Sequence, residues 1–161
     1  MRKRGTIAIL HNIRSVHNVA SIFRTADAAG IKKIYLCGIT PGPTDRFGKI
    51  LLQFAKVSLG AERSVAWEKR REAGRLMKEL KKDGYKIFSV EQSKRSIPYN
   101  KVKVQSGTSK VALILGNEVR GLPPSILKAS DKILEIPMRG KKESLNVSVA
   151  FGIVAFSLSA R

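Results

Sequence analysis

The chain has 161 residues, enough for one globular domain with its own core. A hydrophobic content of 43% excludes a disordered polyelectrolyte, and a single cysteine excludes an internal disulfide or a thiolate zinc cluster. The charge is lopsided, 31 Lys+Arg against 12 Asp+Glu for a net +19, so the favoured partner is a polyanion, nucleic acid first.

The opening MRKRGTIAILHN has basic residues but only a short apolar run and no small-residue cleavage site, so no signal peptide is read. Within it, TIAILHN (6–12) predicts a buried strand. HNVASIFRTADAAG (17–30) predicts a helix, because Val19, Ile22, Phe23 and Ala26 recur at helical spacing and Gly30 is placed to stop it. KKIYLCGI (32–39) predicts a second strand, with Cys37 packed inside it rather than reactive. TPGPTDRFG (40–48) reads as a loop from its Pro and Gly content.

GKILLQFAKVSLGA carries a helical pattern that Gly60 is expected to end. WEKRREAGRLMKELKKDG predicts a surface helix with Ala73, Leu76, Met77 and Leu80 on one apolar stripe, closed by Gly84. YKIFSVEQ, KVALILGNE and KILEIPM predict three more strands, and a last helix is expected from near Ser144. Its apolar run, Leu145 to Leu158, is too short for the ~20 residues of a membrane span. No single amphipathic stretch sets the basic residues against Trp, Phe and Leu, so a membrane surface is not the expected partner. The alternation of strand and helix predicts an α/β fold with a mainly parallel sheet and helices on both faces. A single domain over 1–161 is expected, in the cytoplasm, with no appended RNA-binding domain.

In such sheets ligands sit at the C-terminal ends of strands. Three stretches put polar residues there: Asn12–Arg24, Gly116–Gly121 and Met138–Asn146. Asn18 and Arg24 lie almost two helical turns apart, roughly on one side. Arg24 sits inside an apolar pattern, so it calls for an anionic partner, either a protein carboxylate or a ligand phosphate. His11 and His17 show no metal-ligand spacing and read as polar loop residues. In LGNEVRGL the glycines suit a tight turn, and Glu118 is either a solvated turn carboxylate or part of a site. There is no Walker loop and no G-x-G-x-x-G, which leaves a standard dinucleotide loop unsupported. Ser144 and Asn146 are placed either to cap the last helix or to offer polar groups beside its free N–H groups.

Taken in order, these stretches resemble the SpoU (TrmH-like) branch of the SPOUT RNA methyltransferases. The first motif looks like Asn18-Val-Ala-Ser-Ile-Phe-Arg24-Thr and the second like Leu115-Gly116-Asn117-Glu118-Val-Arg-Gly121-Leu122. The third looks like Ile136-Pro137-Met138 through Ser144-Leu145-Asn146-Val-Ser-Val-Ala, and with SLGAERSVAW between them the similarity covers nearly the whole chain. The resemblance implies a C-terminal trefoil knot, a homodimer, S-adenosylmethionine as cofactor, no metal, and methyl transfer to a ribose 2′-hydroxyl of RNA. It implies that Val90, Gly116, Ile136, Ser144 and Leu145 contact the cofactor. It also implies that Arg24 acts on the hydroxyl, with Asn18, Glu118, Asn146 and Ser144 completing the catalytic set. Arginine stays protonated, so physical chemistry favours a phosphate or oxyanion clamp for Arg24 over a general base.

Two rivals come from other classes: a catalytically silent RNA-binding protein of this fold, and a structural basic protein of the ribosome. The polar positions of the motif set are all present, which argues against both. A base methyltransferase is the nearer competitor, and Asn18, Arg24 and the Ser144-Leu145-Asn146 run point to ribose instead. Transfer RNA is favoured over ribosomal RNA, with the GPTDRFGK loop and the basic helix around 69–82 as expected contacts.

Overall fold

The computed structural model of the protein describes residues 5–105 and 109–159. Residues 1–4, the start of the stretch MRKRGTIAILHN in which no signal peptide is read, lie outside the described residues. Seven strands form one sheet in the order β3-β2-β1-β6-β4-β7-β5, and every pairing is parallel. These are β1 Gly5–His11, β2 Lys33–Cys37, β3 Ala66–Arg70, β4 Lys86–Val90, β5 Ile97–Pro98, β6 Lys110–Leu115 and β7 Lys132–Glu135. The helices are α1 Val16–Ala28, α2 Leu52–Ser58, α3 Ala61–Ser64, α4 Ala73–Lys82, α5 Pro124–Ala129 and α6 Val147–Ser159, with a 3₁₀ turn at Tyr99–Lys101.

Strand alternation divides the core in two. In β1, Ala8 and Leu10 face a cluster containing Phe23 of α1, Phe54 of α2 and Phe151 of α6. Ile7 and Ile9 face the opposite cluster, with Leu76, Met77 and Leu80 of α4 and Ile126 of α5. Helices therefore cover both faces, as the apolar runs of the strands require. Phe23 and Phe54 meet edge to face at 5.2 Å between centroids and seat α2 on α1. Cys37 is buried, and burial pushes its thiol up to about 11 against the opposing Arg70 charge, so it is an inert packing residue.

Five predicted strands and α1 stand where the periodicity places them. The long surface helix does not: Ala66–Arg70 is an edge strand beside β2, and only Ala73–Lys82 is helical. The Glu, Lys and Arg of this stretch have good helix propensity, but pairing with β2 overrides it. The pairing is reinforced by Lys33 Nζ of β2 to Glu68 Oε2 of β3 at 2.7 Å, while Arg70 Nη2 to Glu79 Oε2 at 2.6 Å ties β3 to α4. Helix α2 stops at Leu59, left-handed at φ 51°, one residue before Gly60. The strand β5 and the helices α3 and α5 have no counterpart among the predicted elements. In α5 a proline at the start of the helix, Pro124, is tolerated because the first helical N–H groups have no intrahelical partner.

The sheet order turns at β1. From there β2 and β3 run outward on one side, and β6, β4 and β7 lie on the other. Such a switch point opens a crevice at the strand ends. No described helix is long and apolar enough to cross a membrane.

Candidate active site

The three motif stretches converge beyond the C-terminal ends of β1, β6 and β7. At the end of β6 the chain makes a closed loop: Gly121 N–H donates to Asn117 O at 2.9 Å, and the two residues form an antiparallel bridge. Asn117 Oδ1 accepts from the N–H groups of Val119 and Arg120, both at 2.9 Å. The loop is tied outward twice. Asn117 Nδ2 donates to Asn12 O at 2.9 Å, and Leu122 N–H donates to Glu91 Oε2 at 3.1 Å.

Glu118 points from this loop toward the start of α1. Its carboxylate accepts from Arg14 N–H and Ser15 N–H, both at 3.2 Å, and from Asn18 Nδ2 at 3.5 Å. Partial burial works against ionisation, but the backbone N–H groups of Glu118, Ser15 and Arg14 and the Asn18 amide outweigh it and hold the carboxyl below its ordinary value. A depressed folded-state value stabilises the protein above the unfolded carboxylate pKa, and the benefit is lost as pH falls through the folded value. The melting-temperature gap between wild type and Glu118→Gln should therefore be flat from pH 7 to about 5 and close below pH ~4.5. Parallel melting curves down to pH 3 would show that these contacts do not favour the ionised form.

Asn146 completes the chain of contacts. Its Nδ2 donates to Asn18 Oδ1 at 3.0 Å, so Asn146, Asn18 and Glu118 are linked side chain to side chain. Its Oδ1 accepts from Ser148 N–H at 2.9 Å, and its carbonyl accepts from Ala150 N–H at 3.0 Å, the pattern of a helix N-cap. The helix consequently starts at Val147 and not near Ser144, and Asn146 rather than Ser144 is its cap. Asn146→Ala should remove about 1 kcal/mol and lower the melting temperature by roughly 2–4 °C, while Ser144→Ala leaves it unchanged. Equal effects in thermal melts would refute that division.

Beside this triad lies a cavity of about 520 Å³, of a size that suits a small cofactor. Val90, Leu115, Gly116, Leu134, Ile136, Met138, Leu145 and Ala150 give it apolar and backbone walls, and Asn18, Ser144 and Asn146 stand at its polar side. Glu91, Glu118 and Glu135 line it as well, and among the described residues no Lys or Arg does. In a chain of net charge +19 that is informative. A phosphate-bearing nucleotide would find no cation among these residues, whereas the negative charge of three nearby glutamates favours a nucleoside carrying a positive centre. S-adenosylmethionine, with its sulfonium, fits this donor set. Lys141 and Lys142 occupy the adjoining outer cleft with Gln92 and Glu143, and Gln92 Nε2 donates to Glu143 O at 2.6 Å.

All five expected cofactor residues, Ser144 among them, thus line one cavity, together with Asn18, Glu118 and Asn146. Arg24 does not. It is exposed on α1, and it forms no ion pair or hydrogen bond with the described residues. The protein carboxylate considered as its partner is absent among them. His11 ends β1 half-buried and His17 lies in the first turn of α1, so neither is a loop residue. Sequence reasoning passed over Glu91, and it named Asn12 and Asn117 only as members of their stretches, without a role. Asn12 carried one signal, an asparagine directly after a strand, and it does adopt φ 55°.

The SpoU rRNA Methylase family model matches residues 5–156. The chain belongs to that family. Among relatives of this SpoU-family chain, the tRNA (guanosine(18)-2′-O)-methyltransferase of Aquifex aeolicus is 32% identical over 96% of this chain and 69% of its own length. The 23S rRNA (guanosine-2′-O-)-methyltransferase RlmB of Escherichia coli K12 is 30% identical over 93% of this chain and 58% of its own. A crystal structure of an AdoMet-bound rRNA methyltransferase from Sinorhizobium meliloti superposes with a TM-score of 0.83 at 28% identity, covering 97% of this chain and 56% of that one. The SpoU chain thus spans between about half and two thirds of the length of these proteins.

Proposed function

We propose that this chain methylates a ribose 2′-hydroxyl of RNA, using S-adenosylmethionine held in the cavity over β6, β4 and β7, with tRNA as the favoured substrate. The observation that carries this reading is the contrast between a cavity that no basic side chain lines among the described residues and a strongly basic chain: the donor binds inside and the polyanion outside. The cofactor brings an already activated methyl group. The protein's share is to hold the acceptor in line, exclude water and stabilise the charge that develops on oxygen.

Val90, Gly116, Ile136 and Leu145 hold the nucleoside end through backbone and apolar contacts, with Ser144 beside it. Asn18, fixed between Asn146 and Glu118, orients the ribose. Glu118 stays ionised at neutral pH and is a positioning residue, because its lowered pKa makes it a weak base. Arg24 clamps the neighbouring phosphate and the developing oxyanion.

Arg24 reaches a cavity through a homodimer. Helix α6 leaves Val149 and Phe156 exposed, 49% and 47%, on a largely apolar helix that buries Phe151, Val154, Ala155 and Leu158 on its other side. The Gly152 backbone of α6 packs near Thr25 of α1, so this uncovered stripe lies beside the helix that bears Arg24. A twofold contact through α1 and α6 covers the stripe and carries Arg24 toward the cavity of the second copy. The threaded C-terminus of the SPOUT fold, a single domain and a cytoplasmic location belong to the same proposal. The contact between the loop after β4 and Glu143 is consistent with such threading.

The test is to incubate the purified protein with methyl-labelled S-adenosylmethionine and size-fractionated total RNA, then digest to nucleosides. Label in a 2′-O-methylnucleoside from the tRNA fraction is expected. Label in a methylated base would refute the ribose reading, and label only in the rRNA fraction would refute the tRNA preference.

A further inference from the structure

The loop between β2 and α2 is not a slack connection. Thr44 and Ile50 form an antiparallel bridge, and Asp45 N–H donates to Lys49 O at 2.9 Å. The Asp45 carboxylate accepts from Phe47 N–H at 2.8 Å and Lys49 N–H at 3.0 Å, while Gly48, at φ +80°, donates its N–H to Asp45 O. Such cross-bracing fixes the apex as a closed turn. What it holds up is a phenylalanine, 79% exposed, with the Arg46 guanidinium 4.8 Å from its ring centroid. A large aromatic ring kept in water on a preorganised turn has no role in the core of this chain.

The base of the loop is anchored at the C-terminal ends of β1 and β2. Ile39 N–H donates to Asn12 Oδ1 and Ile13 N–H to Thr40 Oγ1, both at 3.1 Å. Asn12 in turn holds Asn117 of the cavity loop. Lys49 and Arg46 are exposed at the same apex. An aromatic face next to a guanidinium, flanked by a further cation, is what a nucleobase with its phosphates recognises.

We propose that Phe47, with Arg46 beside it, is a stacking platform for an unpaired nucleobase of the bound RNA. This rests on the RNA reading above and adds to it a preference: the platform selects RNA in which a base face is free, because a duplex hides both faces of every internal base. Stacking tolerates any base, so the platform reads the presence of an unpaired nucleotide and not its identity. Lys49 and Arg46 contribute phosphate contacts that fix register without sequence information.

The test uses the full chain, an RNA stem-loop with 2-aminopurine in the loop, and a fully paired RNA duplex of the same length. For wild type, binding of the stem-loop should quench the 2-aminopurine. Phe47→Ala should weaken stem-loop binding roughly 5- to 100-fold and abolish the quench. It should leave duplex affinity, S-adenosylmethionine affinity and the molecular mass in solution unchanged, and Phe47→Trp should restore both binding and quench. Wild-type affinity of Phe47→Ala for the stem-loop overturns the platform and leaves the RNA reading intact. Equal losses on stem-loop and duplex overturn it as well, as does a lower mass, which would make Phe47 a protein–protein contact. Wild-type protein that binds neither RNA refutes the RNA reading itself and the platform with it.

Discussion

Gly116→Ala should abolish cofactor binding, with a rise of at least about 100-fold in the S-adenosylmethionine dissociation constant, and should destabilise the chain by about 1–3 kcal/mol. A Cβ at this position would stand 2.7 Å from both the carbonyl carbon and oxygen of Gly121, and 2.8 Å from Leu122 Cδ2. None of these can yield freely. Gly121 is held by its N–H bond to Asn117, Leu122 is buried and its N–H is held by Glu91, and Gly121 itself lies at φ +65°. To admit one methyl group the loop must open, which breaks the Asn117–Gly121 bridge and displaces Glu118 from Arg14 and Ser15. Calorimetric titration with the cofactor checks the first part and thermal melts the second. A folded Gly116→Ala protein with wild-type affinity would show that this loop does not bound the cofactor.

Arg24→Ala should behave in the opposite way. Loss of methyl transfer by roughly 10²- to 10³-fold is expected, with cofactor affinity and melting temperature unchanged. Arg24 is exposed and unpaired among the described residues, so its removal breaks nothing that holds the fold. It also lies outside the cavity lining of its own chain, and the role proposed for it is on the RNA rather than on the donor. A residue with no structural partner inside an otherwise apolar helical pattern is explained by a function exercised on another molecule. Arg24→Lys should recover only part of the activity, because an ammonium cannot reproduce the planar fork on a phosphate. Steady-state transfer to RNA measures the loss. Activity within a factor of two of wild type would remove Arg24 from the mechanism.

Mixing the two variants probes the dimer as well. If Arg24 serves the cavity of the second copy, heterodimers of Arg24→Ala and Gly116→Ala hold one site with an intact cavity and an intact arginine from the other copy. Such mixtures should regain activity that neither variant has alone.

The parts of this molecule legible in its sequence are those with a local cause. Strands β1, β2, β4, β6 and β7 are apolar runs because both faces of a parallel sheet are covered, and that signature needs no knowledge of their neighbours. Helix α1 announces itself through Val19, Ile22, Phe23 and Ala26, all buried on one face. The ordered motifs around Asn18, Gly116–Gly121 and Ser144–Asn146 marked the family and the region of the site. Residues 66–70 are the counterexample: as an isolated segment they favour a helix, and only the open edge of β2 makes them a strand. Periodicity likewise has no access to the contact of Asn18 with Glu118, 100 positions away, or with Asn146, 128 positions away. Those distances are closed by the order of strands in the sheet, a global property that no local pattern encodes. The sequence therefore determined which residues are candidates for the chemistry, and only the tertiary structure decided which of them meet. It joined Asn18, Glu118 and Asn146 at one cavity and left Arg24 outside it, because topology sets side-chain neighbours across a sheet while local spacing sets them only within a helix or strand.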